Sequence, residues 1–274
     1  MNSRPSLAPS EVLALLWRHR ALVMRLTRRE IAARYTGSLF GLAWTIVTPL
    51  VMLAIYTFIF GVIFPVKWPL PGEAGTGQFA LILFIGMVLF QFFSECISRS
   101  PGLVLENVSY IKKVVFPLEI LPWVAVLHAG FNTLVATGVL VVAYLGLAGL
   151  PPLTAIAVPL TALPLLLITL GLTWILASLG VFLRDLRQLV ALLTMGLMFL
   201  TPIFYPVSAV PPQYHWVLHL NPIAPVIENT RQALIFGHWP DWPALGLHIL
   251  VSYAIAWIGL VWFLKTKKGF ADVT

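Results

Sequence analysis

Six stretches of this chain, residues 39–64, 79–97, 121–147, 153–183, 189–207 and 244–264, are apolar over the length of about 20 residues that a helix needs to cross a bilayer. No other feature limits the fold as strongly. Within lipid every backbone N–H and C=O must find its partner inside the protein, so such a chain is an all-α integral membrane protein with six transmembrane helices. Composition agrees, with 59% hydrophobic and 10% charged residues where a soluble domain carries about 25% charged. Pro49, Pro122, Pro159, Pro164 and Pro202 fall inside these runs. Lipid-embedded helices tolerate proline when neighbours satisfy the freed carbonyls, and kinks are expected near Pro49 and across 159–164.

Orientation follows from the cations, because short cytoplasmic loops hold the excess of Lys and Arg. With the N-terminus inside, all but Lys67 and Arg231 of the 17 lysines and arginines lie on the cytoplasmic side, and both termini face the cytoplasm. The net charge of +7 therefore reports topology and needs no acidic partner. No basic stretch is interleaved with aromatics as a base-reading surface requires, so no nucleic-acid partner is expected. Cys96 stands alone, which excludes an intrachain disulfide and a Cys-x-x-Cys site. It reads as a small apolar filler near a helix end.

The polar lead before the first run is too long for a secretory signal, and the run itself exceeds the apolar core of about 7–15 residues that such a signal carries. Cleavage is not expected. Ser10, after Pro9, is a helix-start signal, and residues 10–36 read as an amphipathic interface helix. Val12, Leu15, Leu16, Leu22, Val23 and Leu26 fall on one face, with Glu11, Arg18, Arg25 and Arg29 on another. That pattern describes a helix in the headgroup plane, apolar side toward lipid. Arg20 and Arg34 interrupt it.

Two connecting segments are informative. Residues 101–117 read as a short helix on the inner face, opened by Ser100 and Pro101 and stopped by Pro117. Residues 208–240 are too apolar for a free loop and too broken by proline for a span. Re-entrant helices that dip in from outside and return suit them, with a folded external cap as the other reading. No soluble domain or internal repeat is visible.

Catalytic signatures are missing: there is no G-x-x-x-x-G-K-[ST] phosphate loop, no H-E-x-x-H and no G-x-S-x-G. Ionisable groups inside spans mark ion paths or relays, and the two with depth are Glu95, about one turn from the cytoplasmic end, and His128, about two turns in. Glu95 is expected to pair with Arg99 at i, i+4, and His128 to pack against a neighbouring helix. Two such groups make a poor ion-coupling pathway. Glu228 and Arg231, at i, i+3, read either as a surface ion pair or as groups positioning the external region. Arg184 and Asp185 open a short inner turn between spans four and five, a solvated hairpin or a partner contact. Trp68, Trp123, Trp239, Trp242 and Trp262 lie near predicted boundaries, as an interfacial belt would. Trp44 and Tyr56 are deeper; helix packing explains such rings, and so does a path along which sugars slide on aromatic faces.

Three stretches carry a family resemblance: "RREIAARYTGSLFGLAWTIVTPLVMLAIYTFIFG" at 28–61, "GVFLRDLRQLVALLTMGLMFLTPIFYPVSAVPP" at 180–212 and "NPIAPVIENTRQALIFG" at 221–237. The chain resembles the permease subunit of type-2 ABC exporters that move lipid-linked polysaccharides such as O-antigen, teichoic acid and capsule. The resemblance implies a homodimeric half-transporter of the inner membrane, working with two copies of a separate ATPase that binds ATP and Mg; this chain itself would hold no cofactor and no metal and would not be an enzyme. It implies that the interface helix and the joint after it, with Arg25, Arg28, Arg29, Arg34, Tyr35, Gly37 and Gly41, carry ATPase movement to the first span. Glu106, Asn107, Tyr110, Lys112 and Lys113 would touch the ATPase, joined by Arg184 and Asp185. Trp44, Tyr56, Phe204 and Tyr205 are the candidates for lining a channel, and Asn221, Pro222, Pro225, Glu228 and Arg231 for shaping its exit. The cargo would be an undecaprenyl-linked polysaccharide, O-antigen above the others. A drug or lipid exporter of the same superfamily, and a membrane glycosyltransferase or polymerase, are the competing readings.

Overall fold

A computed structural model describes residues 6–37, 40–59, 63, 76–107 and 116–272. Among them every regular element is helical. Helix α1 (Glu11–Tyr35) precedes a bundle whose long apolar helices are α2 (Trp44–Phe58), α3 (Thr76–Arg99), α4 (Leu121–Leu147), α5 (Val158–Phe182) and α9 (Trp242–Thr266). Shorter helices lie between the last two: α6 (Leu186–Leu200), α7 (His215–Leu220) and α8 (Ala224–Leu234).

Among the described residues five helical stretches are long and apolar enough to cross a membrane, one fewer than the sequence led us to expect. The difference is the run at 189–207. There α6 has 15 residues, a rise of about 22 Å at 1.5 Å per residue. It stops because a proline disfavours helical backbone in the residue before it: Thr201, ahead of Pro202, is extended at φ −87°, ψ 137°. Pro49 and Pro164 do lie inside helices, whereas Pro159 sits in the first turn of α5. At that position the missing N–H costs nothing, so Pro159 opens the helix instead of kinking it.

Helix α5 is the centre of the bundle, and its most extensive contact is with α9. A Cβ added to Gly259 would stand 2.3 Å from the Gly171 carbonyl oxygen, and one on Gly171 would stand 2.6 Å from that of Ile255. In lipid, helix association depends on close backbone approach through small residues because the tails are as apolar as the side chains. A second tight crossing fastens the chain after α3 to α5: a Cβ on Gly180 would meet the Pro101 carbonyl oxygen at 2.1 Å. By contrast, none of the residues 41–58 is buried, against 72% of the apolar stretch in α3. Among the described residues helix α2 packs chiefly on α3 and α4.

The apolar face of α1 does not lie against lipid as expected. Val12, Leu15, Val23 and Leu26 are buried, and α1 packs on α4 and α9; sealing the stripe on the protein removes the same apolar area from water and adds close packing. Ser10 occupies the N-cap position without a side-chain cap bond. Glu11 is buried there and accepts from Arg18 at 2.7 Å and Ser6 at 3.2 Å. Tyr253 and Trp257 of α9 donate to the carbonyls of Pro9 and Leu7 at 2.8 and 2.9 Å, tying down the start of α1.

In the link after α3, Ser100–Gly102 and Leu105–Asn107 form single 3-10 turns, in place of the first part of the expected helix. Residues 108–115 lie outside the described residues, and with them Tyr110, Lys112 and Lys113, as does Trp68. Trp123, expected in an interfacial belt, is buried and edge-on to Trp174 at 6.3 Å. Trp239, Trp242 and Trp262 are exposed.

Candidate functional site

Three helices each contribute a polar pair at i, i+4, the spacing that puts two side chains on one helical face: Glu30 and Arg34 at the end of α1, Glu95 and Arg99 at the end of α3, His128 and Asn132 in α4. The fold brings the six together as a clasp. Arg99 donates to Glu30 at 2.9 Å, and Arg34 donates to Glu95. Asn132 donates to both Glu95 oxygens at 3.0 Å. The buried His128 places Nδ1 3.1 Å from Arg99 and 3.4 Å from Glu95. The intrahelical Glu95–Arg99 pair read from the sequence is thus replaced by cross-helix pairs. Paired with α1 and α4, both charges serve as ties between helices, which a bond along one helix face does not supply. The Glu95 side chain is 10% exposed and that of Arg34 50%, so the acid sits inside the junction and the guanidinium at its edge.

Beside the clasp lies a cleft of about 460 Å³ between α2, α3 and α4. Trp44 and Tyr56 line it. Phe204 stands outside the wall with its ring 6.3 Å from Tyr56, while Tyr205 donates to the Phe199 carbonyl at 3.1 Å and closes the end of α6 instead. Of the four aromatic candidates, two face the cleft, one backs it and one is elsewhere.

Helix α1 shows Arg25, Arg28 and Arg29 on its exposed side. It ends at Tyr35, whose side chain is outside the described residues, and is followed by Gly37 at φ +80° and Gly41 at φ +51°. Both glycines hold left-handed backbone that side-chain-bearing residues avoid, so the joint into α2 needs them. In the link after α3 Glu106 pairs with Arg187 of α6, and Asn107 donates to Leu103 at 2.8 Å. Arg184 and Asp185 are exposed in the turn between α5 and α6.

At the other end of α3, Arg231 of α8 is fully buried, where a surface ion pair with Glu228 was one of the two expectations. It donates to the carbonyls of Ile82 at 3.1 Å, Pro202 at 2.6 Å and Ile203 at 2.8 Å. A planar guanidinium with five N–H donors can serve three acceptors at once, and Glu228 takes Gln232 at 2.8 Å. Asn221 is also buried: it donates to Thr201 at 2.8 Å and accepts from the Ile223 amide at 3.0 Å, pinning the turn between α7 and α8 to the end of α6. Pro222 lies in that turn and Pro225 in the first turn of α8. Among the described residues no group of three His, Cys, Asp or Glu side chains could hold a metal.

Sequence reading missed Glu30 and Asn132. Their signal was available, since each stands four residues from a group already singled out, but nothing linear pairs one helix's end with another's.

The family description "ABC-2 type transporter" matches residues 21–235. The chain is 28% identical to the O-antigen export system permease protein RfbA of Klebsiella pneumoniae, over 92% of this chain and 94% of that protein. It is 28% identical to the Myxococcus xanthus protein of the same name, over 94% and 96%. It is also 25% identical to the polysialic acid transport protein KpsM of Escherichia coli, over 88% and 91%. The family match runs from the first half of α1 to just beyond α8 and takes in clasp, cleft and Arg231 together, and on that extent the chain belongs to the ABC-2 type transporter family.

Proposed function

We propose that this chain is the membrane subunit of an ATP-driven exporter that moves a lipid-linked polysaccharide, O-antigen being the favoured cargo, across the inner membrane. The similarity over more than nine-tenths of both chains to permeases named for O-antigen export carries the reading. The subunit works as a homodimer with two copies of a cytoplasmic ATPase, and both its termini face the cytoplasm. On this reading α6 is the remaining crossing, completed by partner contacts and the 201–206 turn, and α7 and α8 are the re-entrant pair near the exit.

The mechanism follows from how firmly each part is held. Nucleotide binding closes the ATPases and pushes the inner link. That link is packed tightly on α5 at Gly180 and touches α6 through the exposed Glu106–Arg187 pair, so displacement reaches the α5–α6 turn mainly through α5. Helix α1 is held by the clasp, while α2 is the least buried of the long apolar helices and can tilt about Gly37 and Gly41. The work is done by differential contacts in two states and involves no covalent step in this chain.

The test is to purify the chain with the ATPase encoded beside it and measure ATP hydrolysis in lipid with and without an extracted lipid-linked polysaccharide. Stable association and glycan-stimulated turnover are expected. Absence of any associating ATPase, or stimulation by simple amphiphiles alone, overturns the reading. Reversing charge at Lys112 and Lys113 together is expected to lower polymer-stimulated turnover at least severalfold with membrane insertion unchanged; unaltered turnover removes those two residues from the ATPase contact.

A further inference from the structure

We propose that the cleft beside the clasp binds the phosphate-bearing head of the lipid-linked glycan, and that its phosphate competes with Glu95 for Arg34. The proposal rests on the export reading above and adds where, and by which residues, each protomer holds its cargo. Three observations lead to it.

The cleft is graded from end to end. Its walls are polar near the clasp, where Arg34, Gln91, Glu95 and Asn132 face it, and apolar farther along α2 and α3, where Met52 and Phe84 take over. A volume of about 460 Å³ falls within the range of small-molecule sites. The gradient fits an amphiphile with its head at the clasp and the start of its tail running along α2. Beside the polar end stands Trp44, 43% exposed, an aromatic face of the kind on which a sugar's C–H surface packs.

The donor inventory at that end is unbalanced in favour of an anion. Arg34 spends one terminal nitrogen on Glu95, and its half-exposed guanidinium has further N–H donors in a fork that matches phosphate. Glu95 does not depend on Arg34 alone. With Asn132 bonding both of its oxygens at 3.0 Å, the carboxylate keeps a partner when Arg34 turns away. Asn132 lines the same end of the cleft.

The consequence is a direct link from cargo to motion. Arg34 is in the last turn of α1, two residues before the Thr36–Gly37 joint. When phosphate takes its guanidinium, one of the two ion pairs between α1 and α3 opens, leaving only Arg99–Glu30. The joint is then released when cargo is present and held when it is absent.

The test uses the full chain in zwitterionic-lipid nanodiscs without the ATPase, and a short-chain polyprenyl-diphosphate-linked monosaccharide as probe, with affinity read by microscale thermophoresis and folding by thermal unfolding. Arg34→Gln is expected to weaken binding at least tenfold. Glu95→Gln is expected to tighten it severalfold, because Arg34 loses its competitor; a merely structural Glu95 would not behave so. Arg34→Lys, which keeps the ion pair but loses the fork, should fall between, and carries the test if Arg34→Gln does not fold. Phosphatidylglycerol and inorganic diphosphate are not expected to displace the probe. Binding unaffected by both Arg34 variants, weakening by Glu95→Gln, or equal competition from either anion overturns the proposal. Because the ATPase is absent, this failure is separable from that of the export reading: glycan-stimulated hydrolysis in the full complex with unchanged probe binding by the Arg34 variants removes the cleft alone.

Discussion

Full-length protein carrying Gly259→Leu is expected to lose most of its monodisperse peak on size exclusion after detergent extraction, while Gly246→Leu, thirteen residues earlier on α9, should leave the peak unchanged. The two glycines differ in what a side chain would meet. A Cβ at 246 has nothing within 4 Å, but one at 259 comes to 2.3 Å from the Gly171 carbonyl oxygen and 2.9 Å from its Cα. No rotamer relieves that clash, because Cβ is fixed by the backbone and the neighbour is backbone too. Overpacking a core by a methylene or two costs about 1–3 kcal/mol when side chains can shift. Here the helices themselves must part, and the whole α5–α9 contact, the largest in the bundle, loosens with them. Equal peaks for the two variants would show that α9 does not need this crossing.

The second large effect is expected at Arg231. Arg231→Met keeps an unbranched stem, two atoms shorter, and removes every donor, leaving the Pro202 and Ile203 carbonyls buried without the bonds they now accept. Hydrogen bonds to a charged group contribute about 1.5–3 kcal/mol each, so losing three together should lower the apparent melting temperature by on the order of 10 °C. Protease sensitivity should rise between 201 and 240, since the guanidinium joins α8, the turn after α6, and α3. Arg231→Lys should recover only part of the loss, because one ammonium cannot reproduce three bonds from a planar fork. Full recovery by lysine would mean that charge alone matters there. Gly86 belongs to the same arrangement: a Cβ on it would approach Arg231 Nη2 to 2.8 Å, so Gly86→Ala should reproduce the defect in milder form.

Both predictions concern residues that linear reading undervalued, and the reason is the same in each. Gly171, Gly180 and Gly259 look like any glycines in apolar runs; the spacing that makes them contacts is between helices, not along one. Arg231 reads in the sequence either as half of a surface pair with Glu228, three residues away, or as a group positioning the external region, and neither reading names its partners. A side chain that reaches carbonyls 149 and 28 residues distant leaves no local trace. The interface helix is an intermediate case. Its apolar stripe was legible from period alone, but whether Val12, Leu15, Val23 and Leu26 meet lipid or protein depends on where α4 and α9 stand, and they meet protein.

What the sequence determined by itself is the class and the outline: helices only, crossing a membrane several times, preceded by an amphipathic basic helix and interrupted by a proline-broken segment before the last span. Apolar run length and charge placement decide these, and both are one-dimensional quantities. The family likeness was legible for the same reason, in stretches that stand in order along the chain. Only the tertiary structure decided which charge answers which. Glu30, Arg34, Glu95, Arg99, His128 and Asn132 are three local pairs on paper, and within each helix the i, i+4 bond is available. Each instead reaches across, because a carboxylate or guanidinium held at a junction of three helices gains partners from two of them at once, whereas an intrahelical pair leaves the neighbouring helices' polar groups without theirs.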